Sequence, residues 1–122
     1  MDIERDVDPN ALRKSPMLSP EVVIAGPSSI GLATNISKSM GLSLICPELR
    51  VFSDGESKVR IKEKLENKTC IIVQSAFPPQ VDRHILQTLM ILKKCVDDSA
   101  NNIIVVVPYM AYARQDNAFL EG

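Results

Sequence analysis

Val22-Val23-Ile24-Ala25-Gly26-Pro27-Ser28-Ser29 reads as a buried strand that turns straight into a helix. Its apolar residues run together without alternating with polar ones, the pattern of a strand covered on both faces. Gly26-Pro27 closes the run, and Ser28 and Ser29 offer N-caps to a helix on which Ile30, Ala33, Ile36 and Met40 recur at helical spacing. Gly41 supplies the stop.

The same pattern returns downstream. Cys70-Ile71-Ile72-Val73 is a second apolar strand, ending in polar Gln74-Ser75, and Pro78-Pro79 punctuates the loop after it. Asp82 is a candidate N-cap for a second helix, whose Ile85, Leu86, Leu89, Leu92 and Val96 line one face. Lys93 and Lys94 fall near its C-terminal end, where positive charge suits the helix dipole. Ile103-Ile104-Val105-Val106-Val107 is the most apolar strand of all, ended by Pro108. Between the first helix and Cys70, Leu44-Ile45 and Arg50-Val51-Phe52 read as extended and Ser53-Asp54-Gly55-Glu56 as a turn. Val59 and Ile61 then alternate with Lys58, Arg60 and Lys62, as in a half-exposed strand.

The order is strand, helix, hairpin-like pair, strand, helix, strand. It predicts an α/β domain with an open, mostly parallel sheet and helices on both faces. Residues 1–20, with Pro9, Pro16 and Pro20 among scattered charges, predict a flexible extension, leaving 21–122 as the domain. After Pro108 no further element is legible. A doubly wound sheet that stops one loop past a central-looking strand predicts an incomplete, truncated domain.

Composition narrows the function classes. The 122 residues carry 14 basic and 15 acidic side chains, a net charge of −1, with 4% aromatics and no Trp. That balance argues against a dedicated nucleic-acid binder. No apolar run reaches the ~18 residues that a membrane helix requires, and the acidic N-terminus lacks the form of a signal peptide. Cys46, Cys70 and Cys95 are odd in number and widely spaced, which speaks against a disulfide framework or zinc site and for a cytoplasmic protein.

Ligands in open α/β sheets collect in the loops at the carboxyl ends of the strands. Gly26-Pro27-Ser28-Ser29-Ile30-Gly31 matches neither dinucleotide nor P-loop spacing, so it is a strand-to-helix turn or, less specifically, an anion site on the helix's first N–H groups. In Phe52-Ser53-Asp54-Gly55-Glu56 an aromatic precedes two carboxylates. Phe52 could stack on a flat ring such as adenine while Asp54 and Glu56 accept from its exocyclic amine; the alternative is a solvated Asp-Gly turn. Gln74 to Asp82 is explained as loop plus cap. In Tyr109-Met110-Ala111-Tyr112-Ala113-Arg114-Gln115-Asp116, Arg114 offers a planar fork for phosphate and Gln115 an amide, or else Arg114 pairs with Asp116 to hold the loop. His84, the single histidine, reads as a partly exposed surface residue of the second helix, since one ligand makes no metal site.

In matching order, Ile24-Ala25-Gly26, Phe52-Ser53-Asp54-Gly55-Glu56 leading into Val59-Arg60-Ile61, Val73-Gln74-Ser75, and Val107-Pro108-Tyr109 leading into Tyr112-Ala113-Arg114-Gln115-Asp116 resemble the N-terminal half of the ribose-phosphate diphosphokinases, the phosphoribosyl-pyrophosphate (PRPP) synthetases. The ending Phe119-Leu120-Glu121-Gly122 is closer to archaeal members. The resemblance implies a type I phosphoribosyltransferase-like fold, two related α/β domains, and an active site between them and across a dimer contact. It implies transfer of the diphosphoryl group of ATP, with Mg²⁺, to ribose 5-phosphate, giving PRPP and AMP, in a homodimer or higher homo-oligomer. By the same resemblance Phe52 stacks on adenine, Asp54 and Glu56 take its polar edge, Gly55 gives the tight turn, and Arg114 and Gln115 bind the same nucleotide. The family's catalytic and metal-binding groups would lie past Gly122, so none is expected here and the chain alone is expected to be inactive.

Two departures stand out. Val81-Asp82-Arg83 replaces the Asn-Asp-Asn that opens the second helix in many members. Lys64 and Glu66 stand where bacterial and animal members place Ser and Arg to bind an inhibitory nucleotide or phosphate, and the charge reversal at Glu66 speaks against that regulation. The rival readings are a non-catalytic regulatory relative and a generic α/β module.

Overall fold

The computed structural model describes residues 19–110. Four parallel strands make the main sheet: β1 (Glu21–Ala25), β2 (Ser43–Ile45), β5 (Thr69–Val73) and β6 (Asn102–Val106), in the order β2-β1-β5-β6. Helix α1 (Ile30–Met40) links β1 to β2, and α2 (Val81–Asp97) links β5 to β6. Between β2 and β5, β3 (Glu48–Val51) and β4 (Ser57–Arg60) form a separate antiparallel hairpin. The expected α/β architecture is therefore present. The extension expected over 1–20 lies almost wholly outside the described residues.

The core has two layers because successive side chains on a strand point to opposite faces. Val22, Ile24, Cys70 and Ile72 face one way and meet Ile91 and Cys95 of α2, together with Ile61 and Leu65. Val23, Ala25, Ile71 and Val73 face the other way and meet Ala33 of α1, with Ile36 and Met40 packed around it. The unbroken apolar runs of β1 and β5 follow from this, since both faces are covered. Gly41, left-handed at φ 65°, ends α1 as expected. Cys70 and Cys95 are buried in the first layer and Cys46 is exposed. Burial, and then the neighbouring Cys70, push the Cys95 thiol up to about 12.

Four expectations change. First, α2 does not bury its leucine stripe. His84, Gln87, Ile91 and Cys95 face the core, while Leu86, Leu89 and Val96 are exposed. The stripe is rotated from the one that hydrophobicity alone selects: Gln87 reaches Ser57 of the hairpin and His84 packs on Phe77 in the loop after β5. Second, His84 is buried, not on the surface. Third, β6 is an edge strand among the described residues, with Ile104 and Val105 exposed, so its apolar run is not covered on both faces here. Fourth, neither helix uses the expected cap. Gln80 occupies the N-cap position of α2 with Asp82 in the first turn, and Ser29 stands at that position of α1 without a capping bond from its side chain.

Candidate functional site

The carboxyl ends of β1 and β5 are tied together by the side chains of Gln74, Ser28 and Ser29. Gln74 follows Val73 directly and is 1% exposed. Its Oε1 accepts from the Ser28 N–H at 3.0 Å and the Ser28 hydroxyl at 2.7 Å, and its Nε2 donates to the His84 carbonyl at 3.2 Å. Ser29 Oγ accepts from the Ser75 N–H at 2.9 Å, which is where the expected cap goes instead. The Ser29 N–H donates to the Gly26 carbonyl. The Ser28 and Ser29 N–H groups are thus already engaged within the chain. Sequence reasoning gave Gln74 no role; a polar residue set immediately after four buried apolar ones was the available signal.

Beneath this network the α2 face is polar. His84 packs on Phe77 with ring centroids 4.8 Å apart, and Gln87 Nε2 donates to Ser57 Oγ at 3.2 Å. His84 Nδ1 and Gln87 Oε1 are buried without a hydrogen-bond partner. Burial lowers the His84 pKa, a backbone hydrogen bond at Phe77 opposes this, and Arg83 adds to the lowering. Beside Gln74, an apolar cavity of about 150 Å³ opens between α2 and β6, lined by Ile85, Leu89, Val105 and Met110 among others. Such walls do not suit phosphate.

The polar candidate site is the loop between β3 and β4. Phe52 N–H donates to the Glu56 carbonyl at 2.8 Å, Gly55 N–H to the Phe52 carbonyl at 2.9 Å, and Glu56 N–H to Asp54 Oδ1 at 3.0 Å. These bonds fold five residues into a tight, side-chain-braced turn. Gly55 has φ 91°, a conformation that costs other residues strain. The turn reading and the ligand reading therefore coexist: the backbone is satisfied internally while the side chains of Phe52, Asp54 and Glu56 face solvent. Phe52 is 38% exposed, and the Arg50 guanidinium lies over its ring at 4.9 Å. Gln87 braces the base of the turn through Ser57, the residue after Glu56. The other two sequence candidates, Arg114 and Gln115, lie outside the described residues, so the structure brings together Phe52, Asp54, Gly55 and Glu56 only.

Comparison with known proteins agrees in fold and sequence. The family described as the N-terminal domain of ribose phosphate pyrophosphokinase matches residues 21–120. Ribose-phosphate pyrophosphokinase of Sulfurisphaera tokodaii is 42% identical over 101 residues, covering 83% of this chain and 34% of its own. The Sulfolobus acidocaldarius enzyme of the same name is 40% identical with the same coverage. Among solved structures, phosphoribosylpyrophosphate synthetase from Mycobacterium smegmatis superposes with a TM-score of 0.75 at 26% identity, over 80% of this chain and 33% of that one. A purine phosphoribosyltransferase from Pyrococcus horikoshii shares the fold, with a TM-score of 0.55 at 12% identity, over 80% of this chain and 64% of that one. The chain spans about a third of the length of the curated relatives it matches. With the parallel sheet, the separate hairpin and its FSDGE turn all in place, the chain belongs to the family of ribose phosphate pyrophosphokinase N-terminal domains.

Proposed function

We propose that this chain is the nucleotide-binding N-terminal part of a ribose-phosphate pyrophosphokinase, which moves the diphosphoryl group of ATP onto ribose 5-phosphate to give PRPP and AMP for nucleotide biosynthesis. The observation that carries the reading is the exposed β3–β4 turn, which presents an aromatic face and two carboxylates on a hydrogen-bonded backbone. Phe52 stacks on the purine. Asp54 and Glu56, acceptors only when ionised, take the exocyclic amine. Arg114 supplies a guanidinium to the phosphates and Gln115 an amide to the same nucleotide. The turn projects from a hairpin outside the main sheet, which suits a site shared between two copies in a homodimer or higher oligomer.

Mg²⁺ supplies charge neutralisation on the triphosphate when bound. By the family resemblance, its protein ligands and the catalytic groups are assigned to the part of the relatives that this chain does not span. No helix among the described residues is long and apolar enough to cross a membrane. The substrates are soluble metabolites, and the cytoplasm is the assigned location.

ATP and AMP titrations test the site. Phe52→Ala, Glu56→Ala and Arg114→Ala are each expected to weaken binding by about ten-fold. Equal affinity in all variants would remove the reading. In a turnover assay with ATP, ribose 5-phosphate and Mg²⁺, the 122-residue chain alone is expected to form no PRPP, and measurable product would overturn that part.

A further inference from the structure

The outer face of the β3–β4 hairpin concentrates positive charge that the purine site does not use. The register sets Arg50 directly opposite Lys58, and Glu48 opposite Arg60. Residues directly opposite, and residues two apart on one strand, share a face, so these four side chains stand together. Val59 packs toward the core and Ser57 toward Gln87, on the other face. Glu48, Leu49, Arg50, Lys58 and Arg60 line an open cavity of about 260 Å³.

Three of the four facing side chains are cationic, and the one anion is taken. Glu48 pairs with Lys62 at 2.8 Å. That bond holds the Glu48 carboxyl below its usual range, and Arg60 and Lys58 add to the lowering. Among the described residues neither Lys58 nor Arg60 has a carboxylate within ion-pair distance, and Arg50 lies over the Phe52 ring instead. Like charges directly opposite on an antiparallel pair are destabilising. Placing Arg50 against Lys58 costs stability, and the stacking of Arg50 on Phe52 returns nothing to Lys58 or Arg60. A bound anion would supply that return.

The geometry points to a second ligand site on this hairpin, in which Arg50, Lys58 and Arg60 bind a compact polyvalent phosphate anion. The two guanidiniums offer forked donors to pairs of phosphate oxygens, and Lys58 adds a point charge between them. The site is distinct from the purine turn, though the two communicate. An anion that engages Arg50 draws its guanidinium away from Phe52, so occupancy of the face changes the surroundings of the stacking ring.

The test is an NMR titration of the isotopically labelled 122-residue chain with inorganic tripolyphosphate at low ionic strength. Saturable shifts are expected at Arg50, Lys58 and Arg60 and in the Phe52 ring, fading with added salt. Lys58→Gln and Arg60→Gln are each expected to weaken binding about ten-fold. Glu48→Gln, which removes the one anion from the face, tightens it, and Lys93→Gln on α2 leaves it unchanged. Phe52→Ala keeps tripolyphosphate binding while weakening purine binding, so failure of one site is distinguishable from failure of the other. Shifts spread over unrelated lysines, or undiminished affinity in Lys58→Gln and Arg60→Gln, would overturn the proposal. So would tighter binding of a DNA duplex at the same residues, since that would make the face a nucleic-acid contact.

Discussion

Gly26 is fixed by what stands beside it. A Cβ there would come within 2.5 Å of the Gln74 Cβ and closer still to that side chain's amide, in a place where Gln74 is fully enclosed. Gly26→Ala is therefore expected to lower stability by about 1–3 kcal/mol, read as a drop in the chemical-denaturation midpoint. Gly55 is a different case: open space surrounds its Cα, and its positive φ alone accounts for glycine. The sequence presented both as turn glycines, and nothing in it distinguished crowding from backbone strain. Cys46 is exposed, while burial raises the thiol pKa of both Cys70 and Cys95. Under native conditions at mildly alkaline pH, one of the three thiols is expected to react with a maleimide, the other two only on unfolding.

At the scale of elements, the α2 stripe shows why hydrophobicity misplaced the buried face. His84, Gln87, Ile91 and Cys95 follow helical spacing as faithfully as the leucines do, but two of them are polar. Gln87 donates to Ser57 and His84 packs on Phe77, both supplied by other segments, while His84 Nδ1 and Gln87 Oε1 have no hydrogen-bond partner. The end of α2 is held in a similar way. Asp98 Oδ2 accepts from the N–H of buried Leu65 at 3.1 Å, and its Oδ1 meets Lys94 at 2.9 Å. Asp98→Ala is expected to cost about 1–3 kcal/mol by leaving the Leu65 N–H without its acceptor, whereas Asp97→Ala, which ends only an exposed pair with Lys93, should change little. A denaturation series of the two variants separates these outcomes.

Over the whole molecule, stability should fall on acidification in two stages. The folded pKa of His84 is depressed below 6.5, so the unfolded chain takes up this proton first, and stability declines as pH drops from about 6.5 toward the folded value. Asp98 is depressed below 3.8 by its bonds from Lys94 and Leu65, so its contribution is kept above that value and lost below it as the folded group protonates. Melting curves against pH are expected to lose the first decline in His84→Gln and to show a smaller second one in Asp98→Asn, where the Glu48 pair with Lys62 still titrates. The sequence by itself determined the parallel sheet, the two helices, the hairpin and the FSDGE turn. Each is written in short-range patterns: unbroken apolar runs, helical spacing, an Asp-Gly step. Only the tertiary structure decided that Gln74 binds two loops together, that α2 buries His84 and Gln87, and that Arg50, Lys58 and Arg60 share one face. Those outcomes depend on strand register and on partners tens of residues apart, and no local pattern encodes which distant segment will satisfy a buried polar group.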